Sequence, residues 1–117
     1  MPHRTLGQLE AEISEAIIKF EREYMGRGPH RARTHILEDM IVIRLEGVLT
    51  PAEQQLAKDL NGIKLLKEVR MNLIEGAGAL LKAIIKDITN RTPISLHSDI
   101  SAKLGERIIV FTMEPKS

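Results

Sequence analysis

Between Pro51 and Thr89 the apolar residues Leu56, Leu60, Ile63, Leu66, Leu73, Ala77, Leu80, Ile84 and Ile88 recur at nearly every third or fourth position, the spacing of one face of an α-helix. A single helix over those 39 residues would reach roughly 58 Å at about 1.5 Å per residue. A 117-residue domain has a radius of gyration of only about 13 Å, so a straight rod of that length overshoots its own globule. Either the helix breaks or a second chain covers the overhang. Asn61-Gly62 is the expected break, because glycine after asparagine commonly closes a helix. Gly76-Ala77-Gly78 is a second weak point, although its small residues would also let a partner helix approach closely. The expectation is a short helix over 51–60 and a long one over 62–89, whose 28 residues, roughly 42 Å, favour a homodimer.

The flanking segments set the rest of the fold. Thr50, Pro51 and Glu53 form the strongest local signal: threonine caps, proline has the φ that the first helical position wants, and glutamate completes a capping box. Thr5 and Gln8 open an earlier helix whose apolar face carries Leu6, Leu9, Ile13, Ile17, Phe20 and Tyr24, with Gly26 as its stop. Its outer face is acidic, with Glu10, Glu12, Glu15, Glu21 and Glu23 against Lys19 and Arg22. From Arg33 to Glu46 β-branched residues predominate, and Glu38-Asp39 offers a turn, which predicts a β-hairpin with Ile41, Ile43 and Leu45 on one side. Residues 93–98 alternate apolar and polar, 99–105 read as a loop or helical turn, and 108–113 as a mostly buried strand. The order α-ββ-αα-ββ implies a single α+β domain over 1–117, with a mainly antiparallel four-stranded sheet and helices packed on one face.

Composition narrows the function. The chain has no cysteine, which excludes a disulfide framework and any thiolate metal site. A net charge of +1 and only three aromatic residues, Phe20, Tyr24 and Phe111, argue against a nucleic-acid platform. Met1 to Glu10 carries no apolar run of a secretory signal, and no stretch of about 18 apolar residues occurs, so a cytoplasmic protein without a membrane-spanning segment is expected.

Several clusters could carry chemistry. Arg27, His30, Arg31, Arg33 and His35 make a basic run able to hold a phosphate or another anion, or an acidic protein face; alternatively its charges simply face water or pair with the acidic first helix. Gly26-Arg27-Gly28-Pro29 follows a helix rather than a strand and contains a proline, which suits a rigid turn better than a phosphate loop. Arg70 sits in the apolar seam of the long helix. If buried it needs a carboxylate, with Glu46, Glu53 and Asp99 as candidates; otherwise its head reaches water at the stripe edge, or it binds an anion at a dimer seam. His97 and Asp99 point to the same side of a strand and could pair near Ser95 or Ser101, but a surface hydrogen bond is the commoner outcome. The histidines His3, His30, His35 and His97 lack metal-ligand spacing, so no metal, no cofactor and no enzymatic activity are expected.

Taken together, Gly26-Arg27-Gly28-Pro29, Arg44-Leu45-Glu46-Gly47, Leu49-Thr50-Pro51-Ala52-Glu53, the helical Arg70, Ser98-Asp99-Ile100-Ser101 and Arg107-Ile108-Ile109-Val110-Phe111 resemble, in this order, the MpsC-like family. The resemblance spans about Leu6 to Glu114. It implies a small accessory component of a sodium-translocating, membrane-potential-generating system, accompanied in some genomes by inorganic-carbon transport machinery, with translocation residing in membrane partners. Arg70 and Asp99 are the motif positions whose chemistry exceeds their local structural need. The function expected is thus a non-catalytic, homodimeric accessory protein that docks on membrane transporter subunits at the inner face of the membrane. The alternative is a small-anion or nucleotide sensor using Arg70 and the basic segment 27–35, and the candidate binding residues are Arg27, Arg31, Arg33, Arg70 and Asp99.

Overall fold

The structure is a computed structural model and describes residues 4–115. His3 lies outside the described residues. Helix α1 (Leu6–Met25) begins at a capping box in which Thr5 accepts from the Gln8 amide and the Gln8 side chain accepts from the Thr5 amide. It ends on Gly26, whose φ of +83° is the left-handed conformation that closes helices. Strands β1 (Arg31–Leu37) and β2 (Met40–Glu46) form the expected hairpin around Glu38-Asp39, with Glu38 at φ +54°. Strand β1 starts two residues earlier than the sequence suggests.

After β2 come α2 (Pro51–Leu56), α3 (Leu60–Gly76) and α4 (Gly78–Thr89), then β3 (Pro93–Ser101) and β4 (Glu106–Met113). The architecture is the α+β arrangement α-ββ-αα-ββ, with the second helical segment divided once more. All pairings are antiparallel and the sheet order is β1-β2-β4-β3, so the second hairpin joins the first through β4. Strand β3 runs through Ser101, placing Asp99 in a strand rather than in the expected loop.

Asn61-Gly62 does not break the helix. The break falls at residues 57–59, and Asp59 caps α3 by accepting from the Gly62 amide at 2.7 Å. Gly62 lies in the first turn because its missing side chain admits the carbonyl of Leu56: a Cβ would sit 1.6 Å from that oxygen. Nor is 62–89 one helix, since it is interrupted at Ala77, the expected second weak point. Helical hydrogen bonds run through the interruption, from Ala77 N–H to Leu73 O and from Leu81 N–H to Ala77 O. The expected helix is thus two segments, α3 and α4, that meet at Ala77.

One face of the sheet forms the core. Ile36, Ile41, Phe111 and Leu96 share one row across the four strands, and Thr34, Ile43, Ile109 and Ser98 the next. Helix α1 lies over β1, where Ser14 Oγ and Thr34 Oγ1 are 2.8 Å apart and Glu10 accepts from the Ile36 amide at 2.9 Å. Ile13, Ile17 and Phe20 of α1 and Leu81 and Ile85 of α4 close this face. Tyr24, expected on the apolar face, is half exposed and stacks on Phe20 with ring centroids 4.8 Å apart. The molecule measures 50 × 24 × 21 Å.

Candidate functional site

The next row of the sheet contains Ala32, Leu45, Arg107 and Ile100, which aims an arginine into the core. Arg107 is 1% exposed, and beside it lie Arg70 of α3 at 2% and Glu21 of α1 at 0%. Arg70 is therefore not at the edge of its stripe. Its Nε and Nη2 donate to Glu53 Oε2 and Oε1 at 2.8 and 2.7 Å, and Nη2 also donates to Val48 O at 2.9 Å. This two-pronged pairing suits the planar guanidinium, and Glu53 was one of the three carboxylates that the sequence offers.

Glu53 performs two tasks at once, because Oε1 also accepts from the Thr50 amide at 2.9 Å in the capping box of α2. Burial alone would raise its pKa, but the hydrogen bonds from Arg70 and Thr50 outweigh that and hold it below the ordinary value. Glu21 is more loosely held, 3.7 Å from Arg70 Nη1 and 3.5 Å from Arg107 Nη1. Glu21 Oε1, Arg70 Nη1 and Arg107 Nε lack hydrogen-bond partners among the described residues. Desolvation pushes the Glu21 carboxyl up against the pull of Arg107 and Arg70, and the Arg107 guanidinium down against the pull of Glu21. Two acids and two bases thus tie α1, α2, α3 and β4 together. Sequence reasoning missed Glu21 and Arg107. The signals were there: Glu21 follows Ile17 by four positions, and Arg107 precedes Ile109, Phe111 and Met113 in a strict alternation.

Above this cluster a cleft of about 290 Å³ runs between α3 and β3, lined among others by Lys67, Arg70, His97, Asp99 and Arg107. Asp99 accepts from its own following amide at 2.8 Å and faces Lys67 Nζ at 3.4 Å. His97 Nε2 lies 3.1 Å from Ser95 Oγ, so the His97–Asp99 dyad does not form. The structure thus brings Arg70 and Asp99 to one cleft. It does not bring the basic segment there. Arg33 lies on the outer sheet face, 3.5 Å from Glu46, where Arg44 also bridges Glu46 and Glu106. Arg31 is exposed, and Arg27 lines a second cleft formed by the 26–30 and 101–105 turns and α2. Among the described residues no cluster of three or more His, Asp or Glu could hold a metal ion, and no helix is long and apolar enough to cross a membrane.

A single antiparallel sheet layered on helices and tied by a buried Glu21–Arg70–Arg107–Glu53 cluster defines a small α+β protein whose most deeply buried charges hold the fold together. The family model described as the Na+-translocating membrane potential-generating system, MpsC, matches residues 5–115, and the chain belongs to the MpsC family. It is 40% identical over 110 residues to the uncharacterized protein YbcI of Bacillus subtilis, covering 94% of this chain and 89% of that one. It is 27% identical over 106 residues to the uncharacterized protein YrhF of the same organism, covering 90% and 87%. No solved structure matches it.

Proposed function

We propose that this chain is a non-catalytic accessory component of a membrane ion-translocating system, working as a cytoplasmic homodimer at the membrane's inner face. Family membership over nearly the whole chain carries the reading. On this reading the ion path belongs to other subunits, and this protein docks against them. The buried charges suit a scaffold rather than a catalyst, because their ion pairs join α1, α2, α3 and β4 to one another.

Support for a second copy comes from α3. Leu65, Val69 and Leu73, spaced by four, are 50%, 47% and 44% exposed and run beside the buried row of Leu66, Arg70 and Ile74. An antiparallel two-fold pair centred on Val69 sets Leu65 of one copy against Leu73 of the other, a self-complementary contact. The exposed Arg31 and neighbouring Arg33 supply the charge for docking. Light scattering coupled to size exclusion tests the assembly: a mass near twice 13.1 kDa supports it and a monomer at all concentrations refutes it. Copurification of membrane subunits with the wild-type chain, lost in Arg31→Glu/Arg33→Glu, tests the docking; retained copurification would sink that assignment.

A further inference from the structure

The second cleft, of about 530 Å³, differs in kind from the one above Arg70: none of its lining residues is acidic. Arg27, His30 and Lys103 line it together with Leu49, Ile63 and Leu104. Arg27 Nη2 lies 2.9 Å from His30 Nε2. A guanidinium has only donors, so Nε2 accepts and the imidazole carries its proton on Nδ1. His30 is fixed in turn. Its amide donates to Glu46 O at 2.8 Å, and its ring fills the space beside Gly47, where φ is +71° and a Cβ would sit 2.1 Å from the ring Cδ2. Arg27 is therefore held by an uncharged partner, and its charge stays uncompensated. Lys103, on the β3–β4 turn, has no ion-pair partner among the described residues.

We propose that this cleft binds a phosphate group carried on an apolar body. The arginine fork and the lysine supply charge-assisted donors to phosphate oxygens. The apolar part meets Leu49, Ile63 and Leu104, and Leu104, 71% exposed, has most to gain from being covered. An aryl or alkyl phosphate in solution and the headgroup of an anionic phospholipid share this chemistry. Arg70 has no part in it, because it lines the other cleft, between α3 and β3. The proposal stands on the cleft alone and does not depend on assembly with an ion-translocating system.

The test uses the full chain, labelled with nitrogen-15, titrated with phenyl phosphate, with inorganic phosphate and with phenol. In parallel the protein is sedimented with vesicles of phosphatidylglycerol or of phosphatidylcholine. The expected result is saturable movement of the amides of 27–30 and 102–105 with phenyl phosphate, exceeding that with either fragment, or sedimentation with phosphatidylglycerol alone. The first outcome assigns a soluble phosphate and the second a lipid headgroup. In either case Arg27→Gln/Lys103→Gln weakens binding about tenfold or more, while Lys19→Gln, exposed on α1 and outside the cleft, leaves it unchanged. Both substitutions fall on surface turns, and the unchanged amide spectrum elsewhere shows that the fold persists. Absence of binding in both arms, binding that survives the double substitution, or equal loss from Lys19→Gln overturns the proposal.

Discussion

The carboxylate of Glu53 clasps Arg70 at 2.7 and 2.8 Å with its two oxygens while Oε1 also accepts the Thr50 amide, so one side chain ends a helix and anchors a buried cation. The two roles separate by mutation. Glu53→Gln keeps a side chain able to cap but removes the charge that Arg70 needs, and should cost about 3 kcal/mol. Thr50→Ala removes only the cap hydroxyl and should cost about 1 kcal/mol. Urea denaturation midpoints of the two variants decide the matter; equal losses would mean that Arg70 does not depend on Glu53.

Among the described residues Arg107 has Glu21 as its only ion partner, whereas Arg70 has Glu53 as well. Arg107→Met should therefore destabilise by about 3 kcal/mol, chiefly by leaving the buried Glu21 carboxylate with only Arg70 at 3.7 Å, and Glu21→Leu/Arg107→Met should recover most of the loss. A double variant no more stable than Arg107→Met, measured by thermal melting, would show that the pair does more than neutralise itself.

The two acids of the cluster should bend the pH profile in opposite senses. Glu53 is held below its ordinary value of 4.5, so its stabilisation is complete above that pH and is lost as pH falls through the folded-state value. Glu21 lies above 4.5, so the folded state binds that proton more tightly and stability declines as pH rises from 4.5 to the folded-state value. Unfolding free energies between about pH 3 and 7 should lose the acid limb in Glu53→Gln and the decline above 4.5 in Glu21→Gln.

Gly62 is required by packing. Its Cβ would meet the Leu56 carbonyl at 1.6 Å, so Gly62→Ala should force α2 away from α3 and cost about 2 kcal/mol or more. Gly7→Ala, with nothing within 4 Å, is the matched control and should be neutral or slightly stabilising. A calorimetric scan that shows both alike would contradict the close approach.

If α3 is the dimer face, Val69→Glu should halve the mass seen by light scattering from twice 13.1 kDa to a single copy without loss of helical circular dichroism. Arg31→Glu, on the far hairpin, should leave the mass unchanged. The opposite pattern would move the interface to the basic strand.

The legible parts of this fold are those written in neighbouring residues. Thr5 with Gln8, Thr50 with Pro51 and Glu53, and the Glu38-Asp39 turn are read within four positions, and each stands where expected. Gly62 misled because its role is set by the Leu56 carbonyl packed against it, while the signal for a new helix lay in Asp59, the N-cap of α3 three residues before it. Glu21 was absorbed into an acidic helix face, since a single sequence does not show that α1 packs with that glutamate turned towards Arg107. Arg70 was visible as an anomaly, and its partner was among three carboxylates that only the tertiary structure separates. The second cleft was invisible for the same reason, because Arg27 and Lys103 come to line one cleft only after both hairpins have joined.

That joining governs how the chain reaches its folded state. Each hairpin can form from adjacent residues, but the sheet becomes one only when β2 finds β4, a pairing that brings together Arg44 and Glu106, 62 positions apart. Folding should thus show fast hairpin and helix formation followed by a slow step set by closure of that loop. A chain that stalls before this step leaves the inner edges of β2 and β4 unpaired, and those strands are where aggregation would begin.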